Sequence, residues 1–179
     1  MNLKRCLLGL TIFAVAVFGL AGCGTGEKTA SNVWRVGTDA SYAPFGFQDE
    51  KSHEYVGFDI DIIRAIAETQ GHEVAIKNLN FDGLIPALQT GDLDIAISDM
   101  TINEERAKTV DFTDSYYKAG LSMVVRADET RINSFDDLEG LRIGVTIGST
   151  GAEAARGIPN ADLHEFSTIS DAFLDLYNG

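Results

Sequence analysis

Apolar residues follow three different rhythms along this chain, and the change from one to the next marks out its organisation. Cys6 to Leu20 is an almost unbroken apolar run behind Lys4 and Arg5. A positive start, an apolar middle and a close of small residues make a secretory signal, and the run is short for a membrane span. From Trp34 onward the pattern switches between period two and period 3.6. Trp34 to Thr38, Glu73 to Asn78, Leu93 to Ser98, Gly120 to Arg126, Leu141 to Val145 and Asp162 to Phe166 read as strands.

Helical spacing falls between them. Asp59 to Gln70 puts Ile62, Ile63, Ile66 and Ala67 on one face, with Gly71 placed to end it. Asp82 can cap a helix carrying Leu84, Ile85 and Leu88, with Pro86 tolerated in the first turn and Gly91 closing it. Asn103 reads as a cap with Glu104 and Glu105 in the first turn, where the helix dipole favours acids. Ser134 to Gly140 is a short helical turn, Gly151 to Arg156 a helix stopped by Gly157 and Pro159, and Ile169 to Tyr177 a further helix. Alternating strands and helices predict an α/β fold in two lobes, 33–125 and 126–179, joined by an extended segment near Val125 to Asp128. Two strands with their helices are too little to cover both faces of a second lobe, so the chain is expected to be a fragment or early-terminated.

Charge and cysteine change this picture only at the start of the chain. The 179 residues carry a formal charge of −13, and removing Lys4 and Arg5 with the signal makes the balance more negative still. Such a surface argues against nucleic acid and against electrostatic adhesion to anionic lipid. Leu20-Ala21-Gly22-Cys23 resembles a bacterial lipobox. That implies a signal peptide over 1–22, acylation of Cys23, a polar tether over 23–32 and a protein lipid-anchored outside the cytoplasm. With Cys6 removed and Cys23 acylated, no disulfide is expected. His53, His72 and His164 lack metal-ligand spacing, and no phosphate loop, dinucleotide fingerprint or nucleophile elbow is present. Neither a metal nor a cofactor is expected.

The chemistry-bearing residues gather at strand ends. Asp39 follows the strand Trp34 to Thr38 and opens a loop carrying Tyr42, Pro44, Phe45 and Phe47, where ligands bind in open α/β sheets. Ser98, Asp99 and Thr101 fall at another strand's carboxyl end, and Arg106 projects from the next helix's first turn. Its planar fork suits a carboxylate, each charge-assisted bond contributing roughly 1.5 to 3 kcal/mol. A surface pairing with Glu104 or Glu105 is the alternative. Thr150 with Glu153 reads as a capping box, so Gly148, Ser149 and Thr150 would present N–H groups at a helix start.

The blocks GTDASYAPFGF (Gly37 to Phe47), YVGFDID (Tyr55 to Asp61), FDGLIPALQTGDLD, MTINEER, VDFTDSYYKAGL (Val110 to Leu121) and SFDDLEGLRIGVTIGSTGAEAA (Ser134 to Ala155) occur in one order. Together they closely resemble the extracellular solute-binding proteins of polar amino-acid ABC importers, the family of the glutamine-, histidine- and lysine/arginine-binding proteins. The resemblance implies a bilobed, periplasmic-binding-protein-like fold of type II that closes on one amino acid and delivers it to a membrane permease. It also implies a monomer that is not an enzyme.

Position by position, Arg106 resembles the residue holding the ligand α-carboxylate, with Thr101 beside it and Asp99 lining the same pocket. Asp39 resembles the acid meeting the ligand side chain, and Tyr42 and Phe81 the aromatic plates around it. Gly144 to Gly151, with Thr146, Ser149 and Thr150, resembles the loop that closes over the carboxylate. The family's acid for the ligand ammonium belongs to a strand expected after Gly179, and its return strands into the first lobe are likewise not in this sequence. Weak binding or none is therefore expected of the chain as it stands.

Small residues are common at position 99 in that family. Two acids facing one pocket, Asp39 and Asp99, favour a basic amino acid first and glutamine second, and disfavour glutamate. Asp99 could instead cap the helix at Asn103 or pair with Arg106. Tyr116 and Tyr117 are expected to pack against the hinge. The competing classes are a cyclohexadienyl-dehydratase-like enzyme, which would need a cationic pocket, and a sensor domain.

Overall fold

The computed structural model describes residues 32–179. The signal over 1–22, Cys23 and almost all of the 23–32 tether lie outside the described residues. Asn32–Gly179 form one compact unit. No helix among the described residues is long and apolar enough to cross a membrane.

The central strand is β1 (Val33–Thr38), flanked in parallel by β5 (Glu73–Asn78) and β6 (Ile95–Ala96) in the order β5-β1-β6. Val33 pairs with Glu73 and Thr38 with Asn78, so β1 and β5 end together, and Val36 and Gly37 pair with Ile95 and Ala96 on the other edge. Between β1 and β5 the chain forms a small antiparallel sheet of β2 (Ser41–Tyr42), β3 (Gly46–Gln48) and β4 (Tyr55–Val56), then α1 (Phe58–Gln70). Gly71 ends α1 in the left-handed conformation, as its position in the sequence predicts.

The core is Val36, Ile63 and Ile97, with Trp34, Ile62, Val74, Ile76 and Ile95 against it. Full burial of such side chains contributes about 1.5 to 3 kcal/mol each. The buried stripe of α1 is Asp59, Ile60, Ile63 and Ala67, while Ile66, expected on that face, is 46% exposed. The helix is turned by part of a residue step from the expected face, and the turn brings an acid inside.

After β5 comes a 3-10 turn at Phe81–Gly83, then α2 (Leu84–Gln89). Asp82 makes no cap there, because the turn opens at Asn80 with Asp82 already inside it. The expected strand over Leu93 to Ser98 shortens to β6, and Asn103 caps the single turn α3 (Glu104–Ala107). From Lys108 to Ser134 no helix or strand forms, so the expected strand Gly120 to Arg126 is absent. Its residues find no ladder partner, and an unpaired apolar stretch has no backbone reason to adopt strand geometry.

Ser134 and Asp137 form a reciprocal capping box on the 3-10 turn Phe135–Leu138. A second parallel sheet pairs β7 (Arg142–Thr146) with β8 (Asp162–Phe166) around α4 (Thr150–Arg156), and α5 (Ile169–Asn178) follows. Val145, Ala152 and Ala155 form its core with Ile143, Ile158 and Leu163. α5 lies against β2 of the small antiparallel sheet.

Candidate functional site

Both sheets direct loops toward Arg106. β1 delivers Asp39 immediately past its last residue, where it is 7% exposed. The Asp39 N–H donates to Ser98 Oγ at 3.0 Å, and Asp39 Oδ1 accepts from the Ser41 N–H at 3.0 Å and the Ser41 hydroxyl at 2.6 Å. This local turn fixes the carboxylate through one oxygen, and Oδ2 has no partner among the described residues. Tyr42 is half exposed and stacks on Phe45 at 5.9 Å.

The chain turns sharply after β6. Asp99 has φ +48, a left-handed backbone that a non-glycine residue adopts at some cost. Its N–H is held by Asp59 Oδ2 at 2.9 Å and by Tyr116 Oη at 3.1 Å, while the Tyr116 hydroxyl donates to Asp59 Oδ1 at 3.0 Å. The Asp99 carboxylate takes no hydrogen bond from the described residues and pairs with neither Arg106 nor the Asn103 cap. Burial raises the Asp99 carboxyl above the ordinary range, and the Asp59 charge adds to it. Asp59 is raised by burial too, against the opposing hydrogen bonds from Tyr116 and Asp99.

Arg106 sits in the first turn of α3, its N–H capped by Asn103 Oδ1 at 2.9 Å. The guanidinium does not pair with Glu104 or Glu105. One terminal nitrogen donates to the Thr101 carbonyl at 2.8 Å and the other to the Gly148 carbonyl at 2.9 Å, with the Phe81 ring 5.4 Å from its central carbon. Burial lowers its pKa, and the charges of Glu153 and Glu105 oppose that. No ion pair among the described residues involves it. Two of its five N–H donors are spent on neutral carbonyls, and three remain.

Gly148 reaches this point with φ +73, and a Cβ there would lie 3.2 Å from the Cβ of Asp82. Glycine is required for the loop after β7 to approach the 3-10 turn so closely. The cap of α4 is Ser149 and not Thr150: Ser149 is extended and its hydroxyl accepts from the Ala152 N–H at 3.0 Å. The expected capping box of Thr150 with Glu153 therefore does not form, and Ala152 at the third helical position has no side chain to close one on Ser149. The Ser149 N–H is spent on the Thr146 carbonyl at 3.2 Å, and the N–H groups of Gly148 and Thr150 have no acceptor among the described residues.

Asp39, Asp99, Thr101 and Arg106 therefore share one end of the first sheet, joined through Ser98 and Thr101, with Phe81 and Gly148 touching the guanidinium. Tyr117 packs edge-on to Phe45 at 5.0 Å and Tyr116 lies 6.2 Å from Phe58. Two cavities of about 130 and 400 Å³ lie elsewhere, beside Arg142 and His164 and between Val124 and Phe173. Asp59 is the residue sequence reasoning missed. The available signal was its spacing of four from Ile63 and eight from Ala67, in line with the buried face of α1.

Residues 34–178 match the bacterial extracellular solute-binding proteins, family 3. The arginine-binding extracellular protein ArtP of Bacillus subtilis is 35% identical over 157 residues, covering 86% of this chain and 60% of that protein. An ancestral arginine-binding protein solved with arginine has a TM-score of 0.81 at 44% identity, covering 83% of this chain and 66% of the other. An ancestral amino acid-binding protein, described as a precursor of cyclohexadienyl dehydratase, has a TM-score of 0.79 at 43% identity with the same coverage. The chain thus spans about two thirds or less of these relatives, which have the bilobed α/β architecture that the blocks from Gly37 to Ala155 imply. On the strength of the match over 34–178, the chain belongs to the bacterial extracellular solute-binding proteins of family 3.

Proposed function

We propose that this chain captures a polar amino acid with a basic side chain outside the cytoplasm, for delivery to an ABC importer. One observation carries the reading: a half-buried guanidinium, seated on Phe81, has three donors left and no acid paired with it among the described residues. Burial of a cation costs free energy even in part, and a ligand carboxylate would supply the paired acid it lacks. Two charge-assisted bonds from the fork would contribute about 3 to 6 kcal/mol of gross interaction.

Asp39 Oδ2 and the Asp99 carboxylate are the complementary acids for the ligand's other end. Their charge favours arginine, lysine or histidine, and repels glutamate. Glutamine is the next choice. Tyr42 and Phe81 are the aromatic surfaces for the side chain, and Thr146, Ser149 and Thr150 belong to the loop that meets the carboxylate. Acylation of Cys23 would keep the protein at the membrane where a permease can meet it.

The test is a thermal-shift screen of the protein restored to the full length of its relatives against the twenty amino acids. Stabilisation by arginine, lysine, histidine or glutamine is expected. Stabilisation by glutamate and by none of those four overturns the charge argument. An enzyme reading draws on the likeness to a dehydratase precursor. Its dicarboxylate substrate would meet Asp39 and Asp99, so no turnover of a cyclohexadienyl substrate is expected.

A further inference from the structure

Asp59 is fully buried, yet it does not serve the helix it begins. The first N–H groups of α1 are already satisfied from outside: Phe58 donates to the Pro44 carbonyl at 3.0 Å and Asp59 to the Phe45 carbonyl at 2.9 Å. Its carboxylate is used entirely on two distant segments. Oδ2 takes the N–H of Asp99, 40 residues on, and Oδ1 takes the hydroxyl of Tyr116, 57 residues on. The Asp99 N–H is shared with Tyr116 Oη, so the three groups close a triangle with sides of 2.9, 3.0 and 3.1 Å.

Each corner has different consequences. Asp99 holds the left-handed turn whose neighbours Ser98 and Thr101 bond Asp39 and Arg106. Tyr116 lies in the stretch from Lys108 to Ser134, which has no helix or strand and connects the first sheet to the second. Such a stretch lacks a ladder to fix its position, so single side-chain anchors decide where it lies.

The geometry points to Asp59 as the positioning residue of the ligand site, with Tyr116 as its counterpart on the connecting stretch. The carboxylate pins the turn that aims Asp99 and ties that turn to the segment leading into the second sheet. Displacement of the connection is thereby transmitted to the acid that reads the ligand side chain. This rests on the proposed capture function only in taking Asp99 to face the ligand. The Asp59–Asp99–Tyr116 triangle stands on its own distances.

The experiment uses the protein restored to the full length of its relatives, with Tyr116→Phe, Asp59→Asn and both together. Amide hydrogen exchange is read over Ile97 to Ile102, and arginine and glutamine are titrated separately. Tyr116→Phe removes one oxygen and keeps the ring against Phe58, so folding is preserved. Each single variant should speed exchange in that segment about five- to tenfold, as loss of one buried hydrogen bond implies, while β1 and β5 keep their protection. The ratio of arginine to glutamine affinity should fall by a similar factor, and the double variant should be no worse than Asp59→Asn.

A lower melting temperature with both exchange at Asp99 and the affinity ratio unchanged would show a purely structural role and overturn the proposal. If the unsubstituted full-length protein responds to no amino acid, the capture reading fails, and the exchange comparison alone decides whether Asp59 and Tyr116 hold the turn.

Discussion

Arg106 and Gly148, 42 residues apart, are joined by a 2.9 Å hydrogen bond from the guanidinium to the backbone carbonyl. The bond runs from the end of the first sheet to the loop that follows β7. The planar fork reaches Thr101 and Gly148 with its two terminal nitrogens, a geometry that a lysine cannot copy. Arg106→Lys should keep the charge and lose the fork, weakening arginine binding at least tenfold. Arg106→Ala should cost about 2 to 5 kcal/mol of binding free energy, because the ligand carboxylate then sits unpaired in the site. Isothermal titration of both variants measures the difference.

Gly148→Ala should act through the backbone. A Cβ at φ +73 is strained and would press on Asp82 at 3.2 Å. The expected loss is about 1 kcal/mol of stability, read by thermal unfolding, with a smaller arginine-induced shift because the Gly148 carbonyl is pushed off Arg106. An unchanged shift would mean that the loop position does not matter to the ligand.

Asp99 combines a strained backbone with a carboxylate that no donor of the described residues satisfies. Asp99→Gly should relieve the strain, by up to about 1 kcal/mol before the unfolded-state entropy of glycine is subtracted. Discrimination between arginine and glutamine should shrink at the same time. Asp99→Asn should lose discrimination to the same extent at nearly native stability, which separates charge from backbone. Competition binding with the two ligands provides the measurement.

At the opposite end of β1, Arg35 makes bonds of 2.9 and 2.6 Å to the two oxygens of Asp94. Those bonds hold the Asp94 carboxyl at about 2. A depressed carboxylate stabilises the fold fully above its ordinary value of 3.8, and that contribution is lost as the pH falls through about 2. Asp94→Asn should therefore flatten the acid limb of a stability-against-pH curve between those values and leave arginine binding at neutral pH unchanged.

The proposed acylation of Cys23 rests on its lipobox-like context. In a bacterial expression host the wild-type chain should partition into detergent on phase separation, and Cys23→Ser should move it to the aqueous phase. Retention of the variant in detergent would mean that another segment holds the membrane.

Long periodic elements were legible because their pattern and caps agree. The strands Glu73 to Asn78 and Asp162 to Phe166 match residue for residue, and Gly71 ends α1 where expected. Gly120 to Arg126 failed because apolar content cannot supply a hydrogen-bonding neighbour. The small sheet around Tyr42 was missed because strands of two or three residues leave no periodicity to read. For the candidate site, residue types at the ends of strands are what single out Arg106 and Asp39. Tertiary hydrogen bonds decided Asp59, whose partners lie 40 and 57 residues away. Ser149 displaced Thr150 as the cap because two adjacent hydroxyl residues compete for one role, and only backbone conformation selects between them.

The bidentate Arg35–Asp94 pair has a mechanical consequence for the far end of its strand. β1 is bonded along both edges and clamped where it begins, so it cannot slide along its own axis. Asp39, one residue beyond that strand, is therefore held in register with β5 and β6, and the acid keeps its place relative to Asn78 and Ser98.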